Sequence, residues 1–418
     1  MRIRPDSRPR VVVTGLGVIS PLGSGAKVFW DALCRGESGV RKITEFDAAS
    51  AACRIAGTVP DFDATAQFDR RQRKRCERFA LLGLAAAQQA WADARLDTIP
   101  RPEQTGVCMG TGIGGITSYS EAYHAIHAGP RERPINAYAI PRIMNSAVGA
   151  AVAMHFGLRG PNLTLNTACS SGANAVGLGL EWIRQGRVPV VLCGASEAPV
   201  TYELLKAWDA LGVLVRTCND VPENACRPFD QDRRGFVLSE GAAVLVLESL
   251  ESAERRNATV YAEISGYGNN CDAHNLTTPE ESGITEAMTL ALEDAGLAPD
   301  EIDAINAHGT GTRINDLVEC RALHRVFGPR ARRLPVSAPK SMLGHTMGAS
   351  SALEAVASVL TLRHQCIPPT RNCENLDPEC AIDPVADQAR RQAVRTVLSN
   401  SFAFGGNNAV LAFRSWPN

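Results

Sequence analysis

The chain has 418 residues, 45% apolar and 21% charged, the composition of a packed globular protein, which excludes global disorder. The 43 Lys and Arg face 44 Asp and Glu, so no overall basic field exists to hold nucleic acid or an anionic membrane surface. The 13 cysteines, with no CxxC and no zinc-type Cys/His spacing, point to free thiols in a reducing, cytoplasmic compartment and to no metal site.

The basic start Met1–Arg10 runs straight into a short strand-like stretch, without the apolar core or cleavage site of a signal peptide. No window nears the ~18 apolar residues that span a bilayer. Strand-like and helical patterns then alternate, as α/β architecture with buried sheets demands. Predicted strands cover Arg10–Thr14, Thr105–Met109, Leu163–Asn166, Val188–Cys193 and Ala242–Leu247. A second series covers Val260–Gly266, Ala304–Ala307, Pro335–Ser337, Thr396–Ser399 and Ala409–Phe413. Many of these runs carry β-branched residues and end in Gly, Ser or Asn turn signals. Predicted helices are Phe79–Ala94, Ala173–Ile183, Gly283–Ala295 (closed by Gly296) and Ser350–Arg363. The polar stretch Glu248–Asn257 separates the two series, a hint of internal duplication with halves 1–255 and 256–418.

The strongest local feature is Leu163-Thr-Leu-Asn-Thr-Ala-Cys169-Ser-Ser-Gly172, an apolar strand passing through a small-residue turn into a small-residue helix. Cys169 in a helix's first turn is set beside free N–H groups and a positive dipole end, which favour a thiolate nucleophile and can receive a thioester oxyanion. A small buried cysteine is the plain alternative. Two histidine loops favour the nucleophile. Ala307-His308-Gly-Thr310-Gly-Thr312 follows a short strand, and Lys340-Ser-Met-Leu-Gly344-His345 precedes a helix whose dipole keeps the imidazole neutral. Neutral imidazoles can donate N–H bonds to a developing enolate. His124, His127, His155, His274, His324 and His364 read as structural residues. Phe402-Ala403-Phe404-Gly405-Gly406-Asn407-Asn408 is a glycine-rich turn between two apolar strands.

In this order, Thr-Ala-Cys169-Ser-Ser, His308-Gly-Thr-Gly-Thr, Lys340…Gly-His345 and Phe404-Gly-Gly-Asn-Asn resemble the elongating β-ketoacyl-acyl carrier protein synthases of type II fatty acid and polyketide pathways. The resemblance runs end to end, through Val13–Gly23, Gly110–Gly115, Gly157–Pro161, Arg227–Asp230 and Gly235–Gly241.

The resemblance implies a thiolase fold: duplicated βαβαβαββ halves in a five-layered αβαβα sandwich, the first half carrying the cysteine and the second both histidines. It implies decarboxylative Claisen condensation of an acyl group on Cys169 with malonyl-acyl carrier protein, lengthening the chain by two carbons. His308 and His345 would stabilise the enolate, and Lys340 would act electrostatically. Glu354 would support the site, and backbone N–H groups of Cys169 and Phe404 would form the oxyanion hole. Phe404 matches a gating phenylalanine, Thr310 and Thr312 would bind pantetheine, and Ile113 and Phe402 would shape the acyl pocket. No cofactor of its own is expected, since 4′-phosphopantetheine arrives on the carrier. The basic run Arg70–Arg78 suggests docking of an acidic carrier by Arg70, Arg71 and Lys74, aided by Arg131. The partner subunit would be a second copy or a chain-length-factor-like chain. Ala403 and Asn407, where the family usually has glycine and threonine, suggest an altered gate. With Ser170-Ser171 and Asn315 they suggest a specialised pathway, such as aryl polyene synthesis. A non-catalytic chain-length factor would lack Cys169, and a coenzyme A thiolase would carry a second cysteine near the C-terminus, where this chain reads Phe404-Gly-Gly.

Overall fold

The computed structural model describes residues 8–96, 102–127, 129 and 133–417. Ten main strands occupy the predicted positions. They are β1 (Val11–Ser20), β2 (Thr105–Gly110), β3 (Asn162–Leu165), β4 (Val190–Glu197), β5 (Gly241–Ser249), β6 (Ala262–Cys271), β7 (Ala304–Asn306), β8 (Pro335–Ser337), β9 (Thr396–Ala403) and β10 (Asn407–Ser415). Hydrogen bonding orders them β3-β2-β4-β5-β1, continued by β6-β10-β9-β7-β8. The two runs repeat the same directions. In the first, β2 is parallel to β3 and β4, whereas β5 is antiparallel to β4 and β1. In the second, β7 is parallel to β8 and β9, whereas β10 is antiparallel to β9 and β6. The runs join where Val11, Val12 and Val13 of β1 face Ile264, Glu263 and Ala262 of β6.

Helices complete five layers. Helix α1 (Arg78–Ala94) covers the outside of the first run, and α3 (Glu281–Ala295), backed by α4 (Arg313–Phe327), covers the outside of the second. Between the runs lie α2 (Ser171–Arg184) and α5 (Ser350–His364). Strands packed on both faces must be apolar at successive positions, and β5 shows how. Ala242, Val244 and Val246 enter the core under α1, and Ala243, Leu245 and Leu247 enter the central core. Helix α5 is buried continuously from Ser350 to Leu362, so it shows no polar stripe.

Of the strands that outrun their predicted ends, β1 and β6 do so for one reason. Gly15 and Gly17 in β1, and Gly266 and Gly268 in β6, read as turn signals but serve close packing. A Cβ on Gly17 would lie 1.9 Å from the Ala86 carbonyl of α1, and one on Gly268 would lie 2.2 Å from the Ala287 carbonyl of α3. The N–H between each glycine pair is taken by a helix carboxylate: Leu16 donates to Asp93 at 2.8 Å and Tyr267 to Asp294 at 3.0 Å. Among the described residues, no helix is long and apolar enough to cross a membrane.

Candidate active site

Past β3 the chain enters α2 through a tight turn at residues 168–170, where Ala168 adopts a left-handed φ of 50°. That conformation costs a non-glycine residue about 1–2 kcal/mol, and local hydrogen bonds hold it. Ser171 Oγ accepts from Thr167 N at 3.0 Å and donates to Ala168 O at 2.6 Å, while Ser170 Oγ donates to Thr167 O at 2.8 Å. The turn sets Cys169 on the wall of a 520 Å³ cavity, with His308 from the loop after β7 and His345 from the loop after β8. The Cys169 sulfur and one ring nitrogen of each histidine lie within 4.8 Å of one another, and all three residues are buried.

Each imidazole is fixed from behind. His345 Nε2 lies 3.1 Å from Cys169 Sγ, and its Nδ1 lies 2.8 Å from Ser350 Oγ, which also bonds Thr346 Oγ1 at 3.0 Å. His308 Nδ1 lies 3.2 Å from Lys340 Nζ, which also donates to His308 O at 2.7 Å and to Glu354 Oε1 at 2.6 Å. An ammonium only donates, so His308 Nδ1 is the acceptor and its proton sits on Nε2. All three Lys340 donors are thereby engaged. The sequence puts Lys340 in the His345 loop, yet its direct ring partner is His308.

Burial governs the protonation states. It pushes the Cys169 thiol up to about 12, with Lys340 and backbone N–H groups of Phe404 and Cys169 pulling the other way. The resting group is therefore a thiol, which corrects the expectation that the helix end alone favours a thiolate. Burial, then the Lys340 charge, holds both imidazoles well below the usual histidine value of 6.5, with His345 adding to the effect on His308. The neutral imidazole predicted from a helix dipole thus has a different main cause. Burial raises the Glu354 carboxyl to about 7 against the pull of Lys340. The Cys169–His308–His345 set has the donor chemistry of a metal site, but the ammonium 3.2 Å from His308 opposes a second cation.

Thr310, Thr312, Phe402, Ala403 and Phe404 also line the cavity, and Thr310 Oγ1 lies 2.8 Å from Thr312 Oγ1. Ala403 has an extended backbone (φ −117°), so its Cβ imposes no strain on the turn; the left-handed positions are Gly405 and Gly406. Asn407 Nδ2 donates to Phe404 O at 3.3 Å, a side-chain tie across the same turn. Ile113 does not line this cavity; its N–H donates to Glu197 Oε1 at 3.1 Å. Arg70, Arg71 and Lys74 are exposed on the short helix Arg70–Arg75, capped by Asp69 and Gln72, whereas Arg131 lies outside the described residues. None of the six histidines read as structural lines the cavity.

Two buried carboxylates escaped the sequence reading. Glu319 accepts from the backbone N–H groups of His308 and Gly309, both at 2.9 Å. Glu197 accepts from Gly114 N at 3.2 Å, Gly348 N at 3.0 Å and Thr111 Oγ1 at 2.9 Å, and so ties two site loops together. The signal for Glu319 was an acid beside Cys320, Ala322 and Leu323 on the buried side of α4, a side that also carries Asp316. A single acid at the end of apolar β4 was the signal for Glu197.

The pattern called "Beta-ketoacyl synthase, N-terminal domain" matches residues 8–253, and its C-terminal-domain counterpart matches residues 261–374. The chain belongs to the β-ketoacyl synthase family. Over 413 residues, 98% of this synthase and 99% of the relative, it is 42% identical to a 3-oxoacyl-[acyl-carrier-protein] synthase 2 of Synechocystis. A Coxiella burnetii protein of the same name is 43% identical over 406 residues, covering 96% and 97% of the two chains. Among solved structures, the ishigamide ketosynthase/chain length factor superposes with a TM-score of 0.93 at 38% identity, over 98% of the synthase and 100% of that chain. A type II polyketide ketosynthase in complex with its acyl-carrier protein gives 0.91 at 32% identity, again over 98% and 100%. The synthase is a condensing acyltransferase of fatty acid or type II polyketide biosynthesis with the thiolase-like fold.

Proposed function

We propose that Cys169 carries the growing acyl chain and that His308 and His345 generate the attacking carbanion from a malonyl thioester. In the first half-reaction Cys169 Sγ attacks the acyl thioester, its proton passing to His345 Nε2 and then to the departing pantetheine sulfur. The backbone N–H groups of Cys169 and Phe404, which bear on the sulfur, receive the oxyanion. In the second half-reaction the bond between the malonyl α-carbon and its carboxylate breaks. CO₂ leaves, and the electron pair becomes an enolate that accepts an N–H bond from His308 Nε2 and one from His345 Nε2, the His345 proton having moved from Nδ1 to Nε2 once Cys169 is acylated, with Nδ1 then accepting from Ser350 Oγ. The α-carbon then attacks the acyl-Cys169 carbonyl, the Cys169 sulfur leaves as thiolate, and it takes up a proton from solvent by way of His345. Lys340 acts as a fixed charge that sets the His308 tautomer, and Glu354 holds Lys340.

One observation carries this reading: a thiol and two neutral imidazoles from three separate loops meet on one cavity wall. The presence of Cys169 argues against a non-catalytic chain-length factor, and the Phe404–Gly406 turn, without a cysteine, argues against a thiolase. Thr310 and Thr312 would hold pantetheine amides, and Phe402 would contact the acyl chain. The halves would divide at 1–255 and 256–418, as the repeated strand order supports. The Arg70–Arg75 helix, whose Arg70, Arg71 and Lys74 are exposed and close no ion pair among the described residues, suits an acidic carrier, and we assign docking to Arg70, Arg71, Lys74 and Arg131. Among the described residues, end strand β3 leaves one edge unpaired with Leu163 exposed, a surface suited to a second copy or a related subunit. Free thiols at all 13 cysteines suit a cytoplasmic setting.

The test is intact-protein mass spectrometry with a panel of acyl-acyl carrier proteins. The expected result is an acyl adduct on Cys169, followed by a β-ketoacyl product two carbons longer once malonyl-acyl carrier protein is added. No adduct from any chain length rejects the reading.

A further inference from the structure

Among the described residues no carboxylate lines the cavity that leads to Cys169, and its two cationic side chains are Arg234 and Arg313, both exposed and therefore at its opening. Asp377 feels the Arg313 charge, but neither arginine closes an ion pair with an acid among the described residues. Nearby arginines do: Arg233 pairs with Asp377 at 2.7 Å, Arg227 with Asp230 at 3.3 Å and Arg216 with Asp209 at 3.5 Å. Arg313 also opens α4, whose N-cap Thr312 makes no side-chain cap, so the positive end of a 15-residue helix lies at the same opening. Further along the wall come Asn275, Thr310 and Thr312, neutral groups that hydrogen-bond amides.

Building on the carrier-delivered chemistry above, we propose that Arg234 and Arg313 form a subsite for the phosphodiester of the 4′-phosphopantetheine arm. The arm carries one anion, at the end away from its thioester. With the thioester at Cys169, that anion belongs at the opening. Two guanidinium forks and a helix N-terminus supply the donors that phosphate oxygens accept. The other anion of the reaction, the malonyl carboxylate, loses its charge beside His308 and His345. A guanidinium there would stabilise the carboxylate more than the transition state and slow CO₂ loss.

The experiment compares acyl transfer to Cys169 from three donors: acyl-phosphopantetheine, acyl-pantetheine (which lacks the phosphate) and acyl-acyl carrier protein. The enzymes are wild type, Arg234→Ala, Arg313→Ala and the double variant. For wild type, KM for the phosphorylated arm should be about tenfold lower than for the unphosphorylated one. Each single variant should lose part of that ratio, and the double variant should bring it close to one. A ratio that survives in the double variant overturns the proposal. So does a loss confined to the intact carrier, which would mean that the arginines read acidic protein surface instead. If wild type takes an acyl group from none of the three donors, the condensing chemistry itself fails and the subsite falls with it.

Discussion

Two turns of the same construction meet beneath the cavity. Residues 168–170 lead into α2 and residues 347–349 lead into α5, and the strands before them, β3 and β8, hold equivalent places in the two runs. Each turn begins with a left-handed non-glycine residue, Ala168 at φ 50° and Met347 at φ 47°, and each hands over to a helix that starts with serine. Their second residues differ: Cys169 in one, Gly348 in the other. A Cβ on Gly348 would lie 2.3 Å from Gly112 N, so no side chain fits, and Gly348 N–H instead feeds the Glu197 carboxylate. The pattern recurs one strand inward, where the residue two beyond the end of β7 is His308 and the residue two beyond the end of β2 is Gly112. The repeated strand order offers each position twice, and on the proposed mechanism one copy in each pair carries chemistry while the other serves as a packing surface.

The comparison is tested hardest at the sulfur. Cys169→Ala should abolish the acyl adduct and cut condensation by at least about 10³-fold. It should leave malonyl decarboxylation measurable as CO₂ release, because that step needs only the imidazoles; loss of both activities would erase the division of labour. His308→Ala and His345→Ala should each lower CO₂ release by about 10²-fold or more. Of the two, only His345→Ala should also slow acyl transfer, since its Nε2 is the one bonded to Cys169 Sγ.

Gly348→Ala probes the empty copy. The added methyl meets the Gly112 amide and the Glu197 carboxylate, so thermal unfolding should report a loss of about 1–3 kcal/mol. Cys169→Ala, which only removes an atom, should cost less in the same assay. For pH, burial and Lys340 hold both imidazoles below 6.5, so they stay neutral and active as pH falls through that value. CO₂ release should therefore stay level from about pH 7.5 to about pH 6, whereas an ordinary histidine would be half protonated near 6.5. Lys340→Met removes the opposing charge and should move the acid limb towards neutrality. The smallest effect belongs to Ala403→Gly, less than about twofold in condensation rate, because position 403 is already extended.

The sequence carried the strands and three site loops because short motifs encode them: Thr-Ala-Cys169, His308-Gly-Thr and Gly344-His345 are contiguous, and their neighbours are small for steric reasons local to each turn. It misled at Gly15/Gly17 and Gly266/Gly268, where glycine marks a helix lying against a strand, a contact that depends on residues far along the chain. Glu197 and Glu319 stayed hidden for a similar reason. Each acts on backbone amides of distant loops, and backbone leaves no trace in composition. The thiol was misjudged because a helix terminus is visible in a sequence, whereas the depth at which it lies is not.

The crossing of α2 and α5 constrains any redesign of the tunnel. A Cβ on Gly172 would lie 2.7 Å from Ala352 N, and Ser351 Oγ links the helices, donating to Cys169 O at 3.1 Å and accepting from Ala173 N at 2.9 Å. The close contact of two helices thus helps to set the reach from the Cys169 sulfur to the His345 imidazole. Engineering for bulkier acyl groups belongs at wall positions such as Phe402 and Met347; a larger residue at 172 would wedge the helices apart and silence the enzyme from behind.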